Sequence, residues 1–207
     1  VLLLVLAGNR KSSVLLFLAK IPKYVGVHHT KCNSSLITEI HKTKIMSAPT
    51  IKDLLQEAYN AQWIKGVPNS TNCSGFLKSL GSKMKFFVPN SNADGIIGEL
   101  EEICKTKSLV MLWEKLPDLS AAISAVKDQQ RLVIVGATSG DYGATNGHVA
   151  ILLPVLSGAH KAPLIYGGAS SPTARSQGTK TIREVWSPSK HSKLRFFAHR
   201  TVKFVYA

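Results

Sequence analysis

The sequence predicts an α+β domain in which helices come first and an antiparallel sheet follows, the helices packing against it. Three observations carry this. Between residues 51 and 128 apolar positions recur at helical spacing; from residue 131 they gather in short β-branched or aromatic runs; and Gly, Pro and Ser punctuate those runs. Helical segments followed by strand segments, without alternation, is the order of an α+β arrangement rather than a parallel βαβ one.

The elements follow in order. In "MSAPTIKDLLQEAYNAQW" Ser47 or Thr50 can cap a helix whose Ile51, Leu54, Leu55 and Ala58 share one face. "IKGVPNSTN" is turn chemistry. "CSGFLKSLGSKM" is a second helix, with Phe76, Leu77 and Leu80 inward and an end near or soon after Gly81. "VPNSNADGIIGELEEIC" is a loop and a third helix, capped by Asp94, that buries Ile96, Ile97, Leu100 and Ile103. "LPDLSAAISAVKDQQR" is a fourth, with Leu119, Ile123 and Val126 on one side. "RLVIVGA", "HVAILLP", "APLIYGG" and "KLRFFAHRTVKFVYA" are strands, and "GGASSPTARSQGTK" is a loop between them.

A chain of 207 residues suits one domain with an appendage. The first 45 residues differ from the rest. "VLLLVLAG" and "SSVLLFLA" are apolar runs of eight interrupted by "NRK", too short to span a bilayer. They do not follow the order of a secretory signal, in which the basic residues precede a single apolar run. The expectation is an N-terminal extension over 1–45, an upstream read-through or a truncated targeting segment, and a folded domain over 46–207 that begins near Met46. The net charge is +14; seven of the 26 Lys/Arg and one of the 12 Asp/Glu lie in residues 1–45, which leaves +8 on the remainder. The domain is therefore basic in its own right, and suits an anionic partner such as nucleic acid, a membrane surface or a cell-wall polymer. Basic residues interleaved with stacking aromatics are missing, which argues against nucleic acid. Cys32, Cys73 and Cys104 form neither a CxxC pair nor a zinc-type cluster with histidine, so no metal is expected.

One cysteine stands apart. In "NSTNCSGFLKSLG" Cys73 opens a helix. Free N–H groups and the positive end of the helix dipole there favour a thiolate, which lowers the thiol pKa towards neutrality, and can receive an oxyanion. Ser74 and Gly75 leave room for a substrate backbone. A buried small hydrophobe is the alternative at this position. "GATNGHVAILLP" offers a base, His148, which follows Gly147 and opens a strand; a lone histidine there has a structural alternative too. Cysteine on a helix followed by histidine on the second strand of a sheet is the order of papain-like hydrolases. For the third group that holds the imidazole, Tyr166 of "PLIYGG", or a backbone carbonyl beside it, is the geometric candidate.

"VPNSTNCSGFLKSL", "PNSNADG", "GHVAILLP" and "SQGTKTIREVW" occur in an order and spacing that resembles the type VI secretion amidase effectors of the first family, NlpC-like, papain-related peptidoglycan toxins. The resemblance runs from about Ala58 to Val202. It implies a cysteine amidase without cofactor that cleaves the γ-D-glutamyl–diaminopimelate bond of the peptide stem, with Cys73 as nucleophile and His148 as general base. Asn72, Ser74 and Gly147 are the candidate substrate- and oxyanion-binding residues. The implied setting is export by the producer through a secretion apparatus into the periplasm of a rival Gram-negative cell, with a monomeric toxin that a cognate immunity protein covers at its cleft. The chain departs from the family in the "LIYGG" segment, where a relative has a cysteine and this chain Tyr166. It departs again in "CKTKSLVMLWEKLPDLS", which reads as an insertion able to reshape a cleft wall, and in its leader. A housekeeping or phage-type cell-wall endopeptidase, and a basic binding module without catalysis, are the rival readings.

Overall fold

A computed structural model describes residues 49–106 and 112–206; the segment 1–45 and Met46 lie outside them. Among the described residues are eight strands and six α-helices; the four predicted helices and four predicted strands keep their order, with shorter strands and helices interleaved among them. Helix α1 (Ile51–Asn60) is capped by Thr50, whose hydroxyl accepts from the Asp53 amide while the Asp53 carboxylate takes the Thr50 N–H. A small hairpin comes next, β1 (Gln62–Ile64) and β2 (Val67–Pro68), turning at Gly66 with φ +86°. Then come α2 (Cys73–Met84) and α3 (Ala93–Lys105). Asn92, not Asp94, caps α3: its side chain accepts from the Gly95 amide, and Asp94 lies in the first turn, where a carboxylate also suits the helix dipole.

The sheet is six-stranded and antiparallel, in the order β3-β8-β4-β5-β6-β7. Its strands are β3 (Trp113–Leu116), β4 (Arg131–Ala137), β5 (His148–Ser157), β6 (Ala162–Gly167), β7 (Ser176–Thr181) and β8 (Arg195–Lys203). Helix α4 (Leu119–Lys127) follows β3, α5 (Ser139–Tyr142) follows β4, and α6 (Ile182–Val185) follows β7. Two sequence readings change here. The Ser/Gly-rich stretch supplies β7, because Ser176–Thr181 pairs with the free edge of β6. The supposed insertion supplies β3, which extends the other edge by pairing with β8 and does not line the cleft described below.

Both faces of the sheet are covered. Leu132 and Ile134 of β4 and Val149, Ile151 and Leu153 of β5 meet Leu55, Phe76, Leu80, Ile97 and Leu100 of the first three helices. Val133, Val135, Ala150 and Leu152 meet Ala122, Ala125 and Val126 of α4, with Ile182 and Trp186. This explains why "RLVIV" and "HVAILL" are apolar without alternation: strands buried on both sides have no polar face. Small Ala122 and Ala125, rather than Ile123, give α4 its close approach.

Beyond β4 an ionic cluster ties α5 to the sheet. Arg195 on β8 binds both Glu101 of α3 and Asp141 of α5, and Thr138 donates to the same Asp141 carboxylate. The Arg195 bond chiefly, with the Thr138 bonds, holds Asp141 down to about 2.

Candidate active site

The chain approaches Cys73 through a tightly held turn. Asn69 is wholly buried; its amide nitrogen donates to the Ala58 carbonyl at 2.9 Å and to Ser79 Oγ at 2.7 Å, and its main-chain N–H to the Ala61 carbonyl at 2.8 Å. Asn72 then caps α2, with Oδ1 accepting from the Gly75 amide at 2.9 Å and from Ser74 Oγ at 3.0 Å. Such a cap contributes roughly 1 kcal/mol, and here it also fixes the entry angle of Cys73. Gly75 has a different role from the one the sequence suggested. It is buried, and a Cβ there would lie 2.5 Å from Asn69 Oδ1 and 2.9 Å from Trp63 Cβ, so it makes room for the protein's own turn rather than for substrate.

Cys73 and His148 line one cleft of about 700 Å³, together with Asn72, Ser74 and Gly147. Helix α2 packs on β5, and each of the two residues enters the cleft as the first residue of its element. The amides of Val149, Ser74 and Cys73 itself face the thiol. The expected fall in the thiol pKa does not occur. Burial pushes the Cys73 thiol up, and outweighs the amides that pull it down. Burial likewise holds His148 down to about 4. At neutral pH the pair therefore rests as thiol and neutral imidazole, and the proton has to move during the reaction rather than before it.

Trp186 flanks the imidazole with ring centroids 5.0 Å apart, and its carbonyl is held by His191 Nε2 at 2.8 Å. His148 Nε2 is sealed from solvent without a partner. Tyr166 does not supply one. It pairs with Ile151 in the sheet, stacks on Phe76 at 5.8 Å, and its hydroxyl donates to Gln56 at 2.8 Å. Its side chain belongs to the core under the first three helices, with Ile151, whereas the alternation along β5 turns His148 towards the face that carries Trp186. Tyr166→Phe is accordingly expected to leave turnover within about twofold and to cost roughly 1 kcal/mol in urea unfolding. A tenfold loss of turnover would restore Tyr166 to the site.

Among the cleft-lining residues that sequence reasoning left outside the site, two carry chemistry of interest. Trp186, from the "REVW" motif, is one; Asp94, read only as a helix cap, is the other. The Asp94 carboxylate receives the Ser139 amide at 2.8 Å and the Ser139 hydroxyl at 2.5 Å, and occupies the space where a side chain at Gly147 would begin. The missing side chain at Gly147 is the one signal of this approach in the sequence.

Burial of neutral histidine has a consequence for stability. The unfolded chain takes up a proton at His148 near 6.5, the native chain only near 4, so native stability is complete above 6.5 and falls as pH drops to 4. The loss is about 3 kcal/mol for a shift of this size. His199, whose pKa burial also lowers, adds in the same direction. Asp141 adds a second window: its contribution is present above about 4 and is lost as pH falls towards 2. Urea midpoints should therefore fall continuously below pH 6.5, and His148→Gln should flatten the slope between 6.5 and 4. An unchanged slope in that variant would mean the ring is hydrated.

No family model matches the chain. Among curated proteins it is similar to the peptidoglycan amidase Tse1 of Pseudomonas aeruginosa, 27% identical over 150 residues, which are 72% of this chain and 88% of the amidase. The resemblance read from the motifs is thereby borne out.

Proposed function

From this similarity to the type VI secretion amidase effectors of the first family, we propose that the chain is a cysteine hydrolase that cuts an amide in the peptide stem of peptidoglycan, at the γ-D-glutamyl–diaminopimelate bond. The observation that carries the reading is the shared cleft of Cys73 and His148, one at a helix start and the other at a strand start. The same arrangement supports a papain-related, NlpC-like fold.

In this mechanism His148 takes the Cys73 proton as the sulfur attacks the scissile carbonyl carbon. Neutral imidazole is available for this at any pH above about 4. The carbonyl oxygen becomes an oxyanion, held by the first N–H groups of α2; the Gly75 amide is already satisfied by Asn72, which leaves those of Cys73 and Ser74. The tetrahedral intermediate collapses, His148 returns the proton to the leaving amine, and an acyl-thioester remains. Water, deprotonated by His148, then releases the γ-carboxyl group and regenerates the thiol. Ser74 and Asn72 shape the wall beside the reacting carbon, and Gly147 the wall beside the base. Trp186 excludes water from the back of the imidazole, so that its proton moves only along the front of the cleft.

The setting we propose is that of an effector: secretion by the producer, action in the periplasm of a target Gram-negative cell, and an immunity protein that occupies the cleft. The basic surface suits approach to anionic sacculi. The test is digestion of Gram-negative sacculi by the full chain, with fragments identified by mass spectrometry. New ends between D-glutamate and diaminopimelate are the expected result. Cleavage elsewhere in the stem would move the activity to another peptidoglycan bond. Sacculi left intact by folded protein would favour the basic binding module.

A further inference from the structure

Asp94 is the one formally charged side chain among the described residues that line the cleft. The domain as a whole is basic, so a single carboxylate at its candidate reaction centre runs against the surrounding charge. Three features make it a built acceptor. Ser139 clamps it with two donors, at 2.8 and 2.5 Å, so its position is fixed before anything binds. Those two bonds use two of about four lone-pair sites on the carboxylate. On the strand side Oδ1 rests against Gly147, next to His148, where a Cβ would lie 2.0 Å away, so the carboxylate is seated closely on the strand. The carboxylate thus lines the same cleft as the base and the thiol.

We propose that Asp94 binds the free side-chain ammonium of the diamino residue on the leaving side of the scissile amide, and is the residue that selects for it. The proposal rests on the amidase reading above. A primary ammonium has three donors and matches an anchored carboxylate by a charge-assisted hydrogen bond. A neutral or acetylated amine at that place loses the charge and leaves the carboxylate unpaired. Asp94 also acts on the nucleophile. After burial, its negative charge is a further reason that the Cys73 thiol holds its proton; Lys78, close enough to Cys73 to sense its charge, acts in the opposite sense, and His148 is neutral. An ammonium seated on Asp94 cancels that opposing charge, so the cationic substrate eases ionisation of the thiol that attacks it.

The full-chain protein is given two stem peptides that differ only in that the side-chain amine after the γ-glutamyl residue is free or acetylated. The expected result is a preference of about 10- to 100-fold in kcat/KM for the free amine. In Asp94→Asn that preference collapses through loss on the free-amine peptide alone. A second readout needs no turnover. Iodoacetamide alkylation of Cys73 should accelerate in wild type when free diaminopimelate is added, and the alkylation profile of Asp94→Asn should move to lower pH and ignore diaminopimelate. Equal cleavage of both peptides by wild type, or an equal loss on both in Asp94→Asn, overturns the proposal, as does an alkylation rate that diaminopimelate does not change. If neither peptide is cut but diaminopimelate still accelerates alkylation through Asp94, the amidase reading fails and the ammonium site stands.

Discussion

Cys73→Ala and His148→Ala are each expected to abolish release of stem fragments from sacculi, with losses of about 10⁴-fold or more. The double variant should be scarcely worse than either single one, because the two groups act as a unit: the thiol without a base does not ionise in a buried site, and the base without a thiol has nothing to activate. The measurement is initial rate on soluble stem peptide, with circular dichroism to show that each variant is folded. Cys73→Ala exchanges one small, partly buried side chain for another, and should unfold within about 1 kcal/mol of wild type. The resting state makes a further expectation specific to this protein. Because burial pushes the thiol up and the imidazole down, alkylation of Cys73 should climb through the alkaline range instead of levelling off at neutral pH. A plateau near neutrality would mean a preformed ion pair. Activity retained in Cys73→Ala would remove the thiol from the mechanism altogether.

The second large effect is expected far from any reacting group in sequence. A Cβ at Gly168 would fall inside the carbonyl oxygen of Asn69 and lie 2.8 Å from its carbon, with the Ser70 carbonyl carbon at 3.1 Å. All three are backbone atoms, so no side-chain rotation relieves the clash. The next amide, Ala169 N, donates to the Ser70 carbonyl at 3.0 Å, which joins the end of β6 to the turn that delivers Asn72 and Cys73. Gly168→Ala should therefore push that turn, and the thiol with it, off its position. Overpacking of this kind costs about 1–3 kcal/mol in urea unfolding, and a displacement near 1 Å costs about 100-fold in turnover. Gly98→Ala is the matched control: it lies within α3 with nothing near its added Cβ, and should stabilise by roughly 0.5–1 kcal/mol without touching activity. Wild-type turnover in Gly168→Ala would show that the turn does not position the nucleophile.

Much of this protein is legible before it folds. The four long helices and the central strands announce themselves because each signal is local: a cap, an apolar stripe at helical spacing, an unbroken β-branched run. Cys73 and His148 are legible as candidates for the same reason, since a thiol at a helix start and an imidazole at a strand start are defined by their immediate neighbours. β7 was not, because "SQGTKT" has no apolar alternation and becomes a strand only by pairing with the edge of β6. β3 was missed for a similar reason: Trp113–Leu116 is short, and its partner β8 is some 80 residues further along.

The site divides in the same way. Sequence fixes which groups can do chemistry; burial fixes the state in which they wait. The helix-start argument lowers a thiol pKa, and it fails for Cys73 because the tertiary structure removes water from the sulfur, a desolvation that outweighs the local amides. Tyr166 looked available because it lies on the strand beside His148, yet strand alternation and the packing of Phe76 and Gln56 turn it into the core. Asp94 looked like a cap because it precedes a helix, and only the fold brings β5 and Ser139 to its carboxylate. The composition and local pattern of this chain determine its elements and its candidate nucleophile and base; the three-dimensional packing alone decides their protonation, their company and the charge that faces them, because desolvation and Coulomb interaction depend on distance in space and not on position in the chain.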